Sequence, residues 1–177
     1  TFNADNTGSA EVTSVADTLD GGAGAADTFN IYSDGAIAAI PTLKNIEIIN
    51  IFDEDDNYSI ASIDKAVTTA NFIRGDGTVT YTVPSTVTTV GLENISVAGA
   101  GVVVAAAAAD TAITLNLNKV TAAGGSGDTN EDVALTGAGL KTVTVNPITA
   151  ASTLDDLDVA GATTVNFNID AATTHAG

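Results

Sequence analysis

The chain has 177 residues, 45% of them hydrophobic, and its 22 acidic against 5 basic side chains give it a formal charge of -17. A surface this acidic repels phosphates and anionic lipids, which excludes nucleic acid and membrane surfaces as partners, and the longest apolar run, residues 102–109, is far shorter than the roughly 20 residues of a membrane helix. There is no Cys, so disulfides do not stabilise the fold, and backbone pairing, small-residue packing and bound metals are the candidates for doing so.

The first motif in the chain is a glycine-rich loop between aspartates, at residues 17–29. It matches the calcium-binding nonapeptide G-G-x-G-x-D-x-U-x at five positions, with one extra residue before the aspartate. The glycines let backbone carbonyls turn toward a cation, and aspartate supplies a hard anionic oxygen. The alternative is a plain turn bounded by aspartates. The predicted Ca²⁺ ligands are Asp17, Asp20, Gly22, Gly24 and Asp27.

Two later acidic loops have the spacing D-x-[DN]-x-[DN], which places three oxygen-bearing side chains around one point. In the first, Tyr58 stands where an EF-hand has glycine and no flanking helix is evident, so we expect a calcium loop between strands. A solvated acidic loop is the alternative in each case. The predicted ligands are Asp53, Asp55, Asn57 and Asp64 in the first loop and Asp128, Asn130 and Asp132 in the second.

Apolar residues alternate with Thr and Asn in the stretches between the loops, beginning at residues 79–83 and continuing at 113–118, 142–146 and 164–170. A period of two is typical of a strand with one buried face. No stretch has the 3.6-residue period of an amphipathic helix, and the β-branched residues that dominate favour pleated sheets. The sequence therefore predicts an all-β protein.

A degenerate unit recurs at residues 43–48, 92–97 and 140–145, and the strand centres lie roughly 20 to 28 residues apart, as in the coils of a solenoid. We predict that residues 1–177 form a single all-β segment of a longer chain or assembly, with the fold of an irregular parallel β-helix or β-solenoid. A β-sandwich is the alternative. Outward rows of Thr and Asn are either hydrogen-bonded ladders between coils or solvated strand faces.

Catalytic residues are scarce in this sequence. His175 is the single histidine and lies near the C-terminus, Arg74 is the single arginine, and there is no cysteine to act as a nucleophile. Paired carboxylates act on glycans in polysaccharide-active β-helix enzymes, but such sites also need aromatic and basic side chains to hold the sugar. We therefore expect no enzymatic activity, and a polysaccharide lyase or epimerase ranks below the non-catalytic alternatives.

The loop at residues 17–29, the units at 43–51 and 92–97, and the Cys-free composition rich in Ala, Thr and Gly resemble the RTX-type, calcium-dependent surface-layer proteins of Gram-negative bacteria and their type I secreted relatives. The resemblance covers about a third of the chain, and the tandem nonapeptides typical of a regular β-roll are missing. It implies a calcium-stabilised β-solenoid whose subunits cover the cell surface.

The expected function is therefore a structural, self-assembling, calcium-binding subunit of a bacterial cell-surface layer, sheath or extracellular filament. Uncharged strands, few basic residues and few prolines leave strand edges open to identical subunits. Cell-surface polysaccharide is a further candidate partner. The alternative function is a segment of a large calcium-dependent adhesin that binds glycan or another surface.

Overall fold

The computed structural model of the chain describes residues 1–7, 13–14, 16–34, 37, 40–52, 57–60, 66–75, 78–98, 101–123, 133–147, 150–154 and 156–168. Strands separated by turns make up the described residues, which contain no helix of the length and apolarity needed to span a membrane. The strands are β1 Phe2–Asn6, β2 Thr18–Asp20, β3 Thr28–Ser33, β4 Thr42–Lys44, β5 Ile48–Phe52, β6 Tyr58–Ser59, β7 Thr69–Ile73, β8 Val79–Thr82, β9 Thr89–Glu93, β10 Ser96–Ala98, β11 Val102–Ala105, β12 Ala112–Asn118, β13 Thr121–Ala123, β14 Val133–Thr136, β15 Thr142–Pro147, β16 Thr153–Leu154, β17 Leu157–Val159 and β18 Thr164–Phe167.

The strands form a β-solenoid in which the chain returns repeatedly to the same sheets. Eight strands in the order β1-β3-β5-β7-β9-β12-β15-β18 form one sheet, called here the long sheet. Strands β17-β14-β11-β8-β6 form a five-stranded sheet, β10-β13-β16 a three-stranded sheet and β2-β4 a two-stranded sheet. All pairings between described strands are parallel. The predicted solenoid is confirmed, and the alternative of a β-sandwich, which is built from antiparallel strands, is wrong.

The period of two in the sequence produces the two faces of the long sheet. On β5, Ile49 and Ile51 are fully buried while Asn50 between them points outward and is half-buried, and the same alternation holds on β12 with Leu115, Asn116 and Leu117. Parallel register places the inward side chains of successive coils directly above one another. Stacked rows of aliphatic side chains therefore form the core, each buried side chain contributing about 1.5–3 kcal/mol of transfer free energy.

Aromatic side chains join the long sheet to the five-stranded sheet inside the solenoid. The ring of Phe72 on β7 stacks on that of Tyr81 on β8, with centroids 3.9 Å apart, and Tyr81 in turn lies 6.4 Å from Tyr58 on β6. All three side chains are buried. Two of the three tyrosines of the chain are thus core residues.

Residues with positive φ end several strands of the long sheet. Arg74, Asn94 and Lys119, with φ of 74°, 51° and 55°, follow β7, β9 and β12 directly. The left-handed conformation is unfavourable for side chains other than glycine. Hydrogen bonds between coils hold it here, since Arg74 N donates to Glu93 O and Asn94 N to Asn118 O, both at 2.9 Å. These residues form the corners at which the chain leaves the long sheet.

The recurring units of the sequence are not equivalent in the structure. The units at 43–48 and 92–97 each contain a left-handed asparagine, Asn45 or Asn94, followed by a buried isoleucine at a corner. The unit at 140–145 instead begins in a turn, where Leu140 N donates to Gly137 O, and continues into β15. The structural repeat follows the row of outward asparagines on the long sheet, which Gly91 replaces on β9, with intervals of 20 to 30 residues.

Candidate functional site

The glycine-rich loop connects β2 to β3 and is held by the next coil. Oδ1 of Asp20 accepts hydrogen bonds from Gly22 N at 2.9 Å and from Asn45 Nδ2 at 2.8 Å. The bond from Asn45 and then that from Gly22 lower the pKa of the Asp20 carboxyl, so the side chain remains anionic into acid solution. Gly22 has a φ of 80°, which is the left-handed region that its missing side chain permits.

Asp27 closes the same loop. Its N–H donates to Oε2 of Glu47 at 2.9 Å, and its carbonyl accepts the N–H groups of Glu47 and Ile48, both at 3.0 Å. A Cβ atom on Gly21 would lie 2.6 Å from the Asp27 Cβ, and one on Gly24 would lie 2.8 Å from Asp27 Oδ2. A Cβ on Gly21 would also meet the backbone carbonyl oxygen of Asn45, so the backbone of the next coil requires glycine at this position. At Gly24 only the carboxylate end of the Asp27 side chain occupies the space.

Carboxylates and backbone carbonyls thus lie in and beside the loop, and these are the oxygen ligands that Ca²⁺ prefers. Within the described residues, however, no three acidic, histidine or cysteine side chains come close enough to hold one metal ion. A cation here would need backbone carbonyls or water beside one or two carboxylates. Asn45 and Glu47 were not predicted as loop residues, since they lie 25 and 20 positions from the residues that they bind.

The other predicted calcium ligands are distributed as follows. Asp17 is exposed before β2, where its carbonyl accepts the N–H of Thr42 at 2.9 Å. Oδ1 of Asn57 accepts the N–H of Thr80 at 2.6 Å, so this side chain ties two coils together. The remaining predicted ligands lie outside the described residues: Asp53, Asp55, Asp64, Asp128, Asn130 and Asp132.

A ladder of asparagine amides runs along the outward face of the long sheet. Asn30 donates to Asn3, Asn50 to Asn30 and Asn71 to Asn50, in each case from Nδ2 to Oδ1 at 2.7 Å. Gly91 interrupts the ladder because it has no side-chain amide. The Asn71 side chain fills the space that a Cβ at this position would need. The ladder resumes where Asn146 donates to Asn116 at 3.1 Å and Asn168 to Asn146 at 2.5 Å. The interpretation of the outward Asn row as a hydrogen-bonded ladder is confirmed.

The outward face carries no charge along two adjacent rows. Beside the asparagine row lies a row of mostly threonine, two residues earlier on each strand. Parallel register aligns the members of this row from β3 to β18, which are Thr28, Ile48, Thr69, Thr89, Thr114, Thr144 and Asn166. In a chain with a formal charge of -17, this face is a neutral strip of hydroxyl and amide groups.

One edge of this face holds an aromatic pair. The rings of Tyr32 and Phe52 stack with centroids 4.5 Å apart, and the guanidinium carbon of Arg74 lies 5.8 Å from the Phe52 centroid. Tyr32 and Phe52 are half-buried and Arg74 is exposed. Arg74 is therefore accompanied by aromatic side chains that are distant from it in sequence.

Asp110 is a buried acid that the sequence analysis did not identify. Its side chain is 6% exposed, and within the described part of the chain its Oδ2 has no hydrogen-bond partner. Burial raises the pKa of this carboxyl, against a smaller lowering by a hydrogen bond from the Ala107 backbone. The available signal was an aspartate that directly follows the apolar run at residues 102–109.

Comparison with known proteins found no relative of the chain. No protein-family model, no curated protein and no solved structure matches the chain.

Proposed function

We propose that the chain is a structural, self-assembling subunit of a bacterial cell-surface layer, sheath or extracellular filament, and that it binds calcium. The supporting observation is the neutral strip along the long sheet, whose chemistry repeats from coil to coil instead of converging on one place. Each ladder amide is fixed by its neighbours, so little side-chain entropy is lost when the face is covered. A repeated, preorganised face suits contacts with a repeated partner such as identical subunits.

Calcium has two roles in this proposal. In the glycine-rich loop, backbone carbonyls or water and one or two of the carboxylates of Asp20, Asp27 and Glu47 would hold the ion between two coils. Between subunits, the ion would neutralise acidic surfaces that otherwise repel one another. The proposal places the protein outside the cell and includes no catalytic activity, so purified protein is expected to leave polysaccharide substrates uncleaved.

Thermal unfolding in millimolar calcium and in excess EDTA tests the loop. The midpoint is expected to be higher with calcium, because an ion that binds only the folded state stabilises it. Asp27→Asn should reduce this difference, whereas Asp158→Asn, which makes the same charge change on β17, should leave it intact. Equal midpoints for the unaltered protein in calcium and EDTA would remove the loop site from the proposal.

Light scattering and negative-stain electron microscopy across a calcium titration test assembly. Sheets or filaments are expected with calcium, and dispersal on chelation. A sample that stays monomeric at high protein concentration throughout the titration would contradict the structural function.

A glycan-binding adhesin segment is the second candidate, favoured by the pairing of Tyr32 and Phe52 beside Arg74. Sugar-binding sites combine aromatic side chains with a few polar groups that fix the orientation of the ligand. Calorimetric titration with surface polysaccharides would detect such a site, and Phe52→Ala and Arg74→Ala should each weaken binding. Binding that both variants retain would place any glycan site elsewhere.

A further inference from the structure

Two tripeptides of the chain match N-x-[ST], the acceptor pattern for N-linked glycosylation. They begin at Asn57 and at Asn94 and cover residues 57–59 and 94–96. In both, the middle side chain is buried, whereas the asparagine and the serine are exposed. Both patterns therefore present their two defining residues to solvent, and the two sites differ in how each asparagine side chain is bound.

The carboxamide of Asn57 is part of the contact between two coils. Its Oδ1 accepts the N–H of Thr80 on β8 at 2.6 Å. Rotation of this carboxamide would break the contact and take the acceptor away from a backbone N–H. The Asn57 side chain is therefore exposed but fixed in one orientation.

The carboxamide of Asn94 is held much less firmly. Within the described part of the chain, its Nδ2 makes one hydrogen bond, to Oε1 of the adjacent Glu93, and the length of 3.4 Å is greater than is usual for an N–H···O bond. The backbone, by contrast, is anchored on both sides, since Asn94 N donates to Asn118 O at 2.9 Å and Ser96 N to Gly75 O at 2.8 Å. The corner thus fixes the backbone of the pattern and leaves the Asn94 carboxamide able to turn.

The surface that follows Asn94 has room for a sugar. Ser96 begins the three-stranded sheet, where it stands in parallel register with Thr121, and Thr121 with Thr153. All three residues are exposed, so this outer row consists of short hydroxyl side chains and carries no charge. The row belongs to a different sheet from the neutral strip, so a sugar beside it leaves the strip uncovered.

We propose that Asn94 is an N-glycosylation site and that Asn57, in the folded protein, is not. The co-substrate is a sugar activated by a phosphate or pyrophosphate group. Nδ2 of Asn94 forms a bond to the anomeric carbon and loses one proton, while the bond from that carbon to the phosphate oxygen breaks and its electron pair leaves with the phosphate. This modification depends on neither calcium nor assembly.

The chemistry of the amide explains why the two sites should differ. An amide nitrogen is a weak nucleophile because its lone pair is delocalised into the carbonyl group. The transferring enzyme must therefore turn the carboxamide within its own active site. Asn94 permits this movement, and the bond from Thr80 opposes it at Asn57.

Mass spectrometry of protein isolated from the cells that produce it tests the assignment. Tryptic cleavage after lysine and arginine places the two asparagines on different peptides, residues 45–65 and 75–119. A sugar mass is expected on peptide 75–119 and none on peptide 45–65. A sugar on both peptides, on 45–65 alone or on neither would overturn the inference.

Transfer in vitro tests the structural reason for the difference. Folded protein produced without sugar is incubated with an asparagine glycosyltransferase and uridine diphosphate glucose. It should gain one hexose, on peptide 75–119, whereas a synthetic peptide of residues 45–65 should accept a hexose at Asn57 because no neighbouring coil holds its carboxamide. Folded protein that accepts hexose equally at both asparagines, or at neither, would contradict the proposal.

Substitutions in the producing cells separate recognition of the pattern from folding. Asn94→Gln and Ser96→Ala should each abolish the sugar mass of the intact protein, and Ser96→Thr should retain it. Asn57→Gln is the matched control and should leave the sugar mass unchanged. Ser96→Ala keeps the left-handed asparagine at the corner, so loss of the sugar with an unchanged thermal midpoint is not a folding effect. Full retention of the sugar in Ser96→Ala would show that Asn94 is not the acceptor.

Discussion

Replacing Asp110 by leucine should stabilise the protein. Asp110 N donates to Ala107 O in the turn that precedes β12, and the corresponding turns of the neighbouring coils have Val87 N and Leu140 N as donors. Val87 and Leu140 are buried core residues. Asp110 therefore occupies an inward position that is apolar in the coils on either side. Leucine branches at the same carbon as aspartate and fits the same space with methyl groups in place of the oxygens.

The magnitude follows from the groups that change. A buried polar atom without a partner is unfavourable by about 1–3 kcal/mol. Leucine keeps the backbone bond from Asp110 N but loses the hydrogen bond from the Ala107 backbone to the Asp110 carboxyl, which is worth about 0.5–1.5 kcal/mol. Burying two additional methyl groups contributes about 1.5 kcal/mol. The free energy of unfolding should therefore rise by about 1–4 kcal/mol, and a protein of this size gains about 2–4 °C in Tm per kcal/mol.

The gain should depend on pH in a defined direction. Because burial raises the pKa of Asp110 above its ordinary value of 3.8, the folded state holds this proton more tightly than the unfolded state. Below pH 3.8 the carboxyl is protonated in both states and its ionisation does not oppose folding. As the pH rises through the raised pKa, the unaltered protein loses stability. The difference between Asp110→Leu and the unaltered protein should therefore be larger at pH 7 than at pH 4.

Denaturant unfolding of both proteins at the two pH values measures this difference, with Asp110→Asn separating the effect of charge from that of shape. A lower unfolding free energy for Asp110→Leu at pH 7 would refute the reasoning. If that loss occurred in calcium but not in EDTA, Asp110 would be a cation ligand instead of an unfavourable buried acid.

Two further predictions concern the loop and the ladder. Gly21→Ala should destabilise the fold more than Gly22→Ala in thermal melts, since a Cβ at Gly21 meets the backbone carbonyl of Asn45 and the Asp27 side chain. A Cβ at Gly22 has no neighbour within 4 Å and incurs only the left-handed penalty of about 1–2 kcal/mol. Equal losses would show that the loop shifts away from the Asn45 carbonyl at little cost. Asn50→Ala removes two ladder hydrogen bonds and should lower the unfolding free energy by about 1–3 kcal/mol. The control Asn166→Ala, on the exposed threonine row, should change it by less than about 0.5 kcal/mol. Similar small effects in both variants would mean that the ladder adds no stability.

The fold was predictable from the sequence because it depends on a local pattern. Alternation of apolar residues with Thr and Asn identified the strands at Val79, Leu115 and Val143, and all three residues are buried. On β18, which pairs only with β15 among the described strands, the same alternation leaves Val165 exposed. Alternation predicts which face is apolar but not what covers it.

The partners within the candidate site were not predictable in the same way. Asn45 and Glu47 reach the glycine-rich loop from the following coil, and the intervals between coils vary from 20 to 30 residues. No fixed period therefore indicates which residues meet. Asp110 could not be predicted as a buried acid for the same reason, because the corresponding residues of the neighbouring coils, Val87 and Leu140, are 23 and 30 positions away. Only the stacking of the turns in the structure shows that an acid stands where these coils have an apolar residue.

The interruption at Gly91 divides the ladder into two segments but does not divide the solenoid. The break removes one or two side-chain hydrogen bonds, each worth about 0.5–1.5 kcal/mol. Across the same boundary, Val90 and Leu92 on β9 remain fully buried between β7 and β12, and each such side chain contributes about 1.5–3 kcal/mol. Coupling between neighbouring coils is what makes a solenoid unfold cooperatively, and here apolar packing supplies the larger part of it. The ladder's main effect is to hold the outward amides in one orientation, which is the property that a regular contact surface requires.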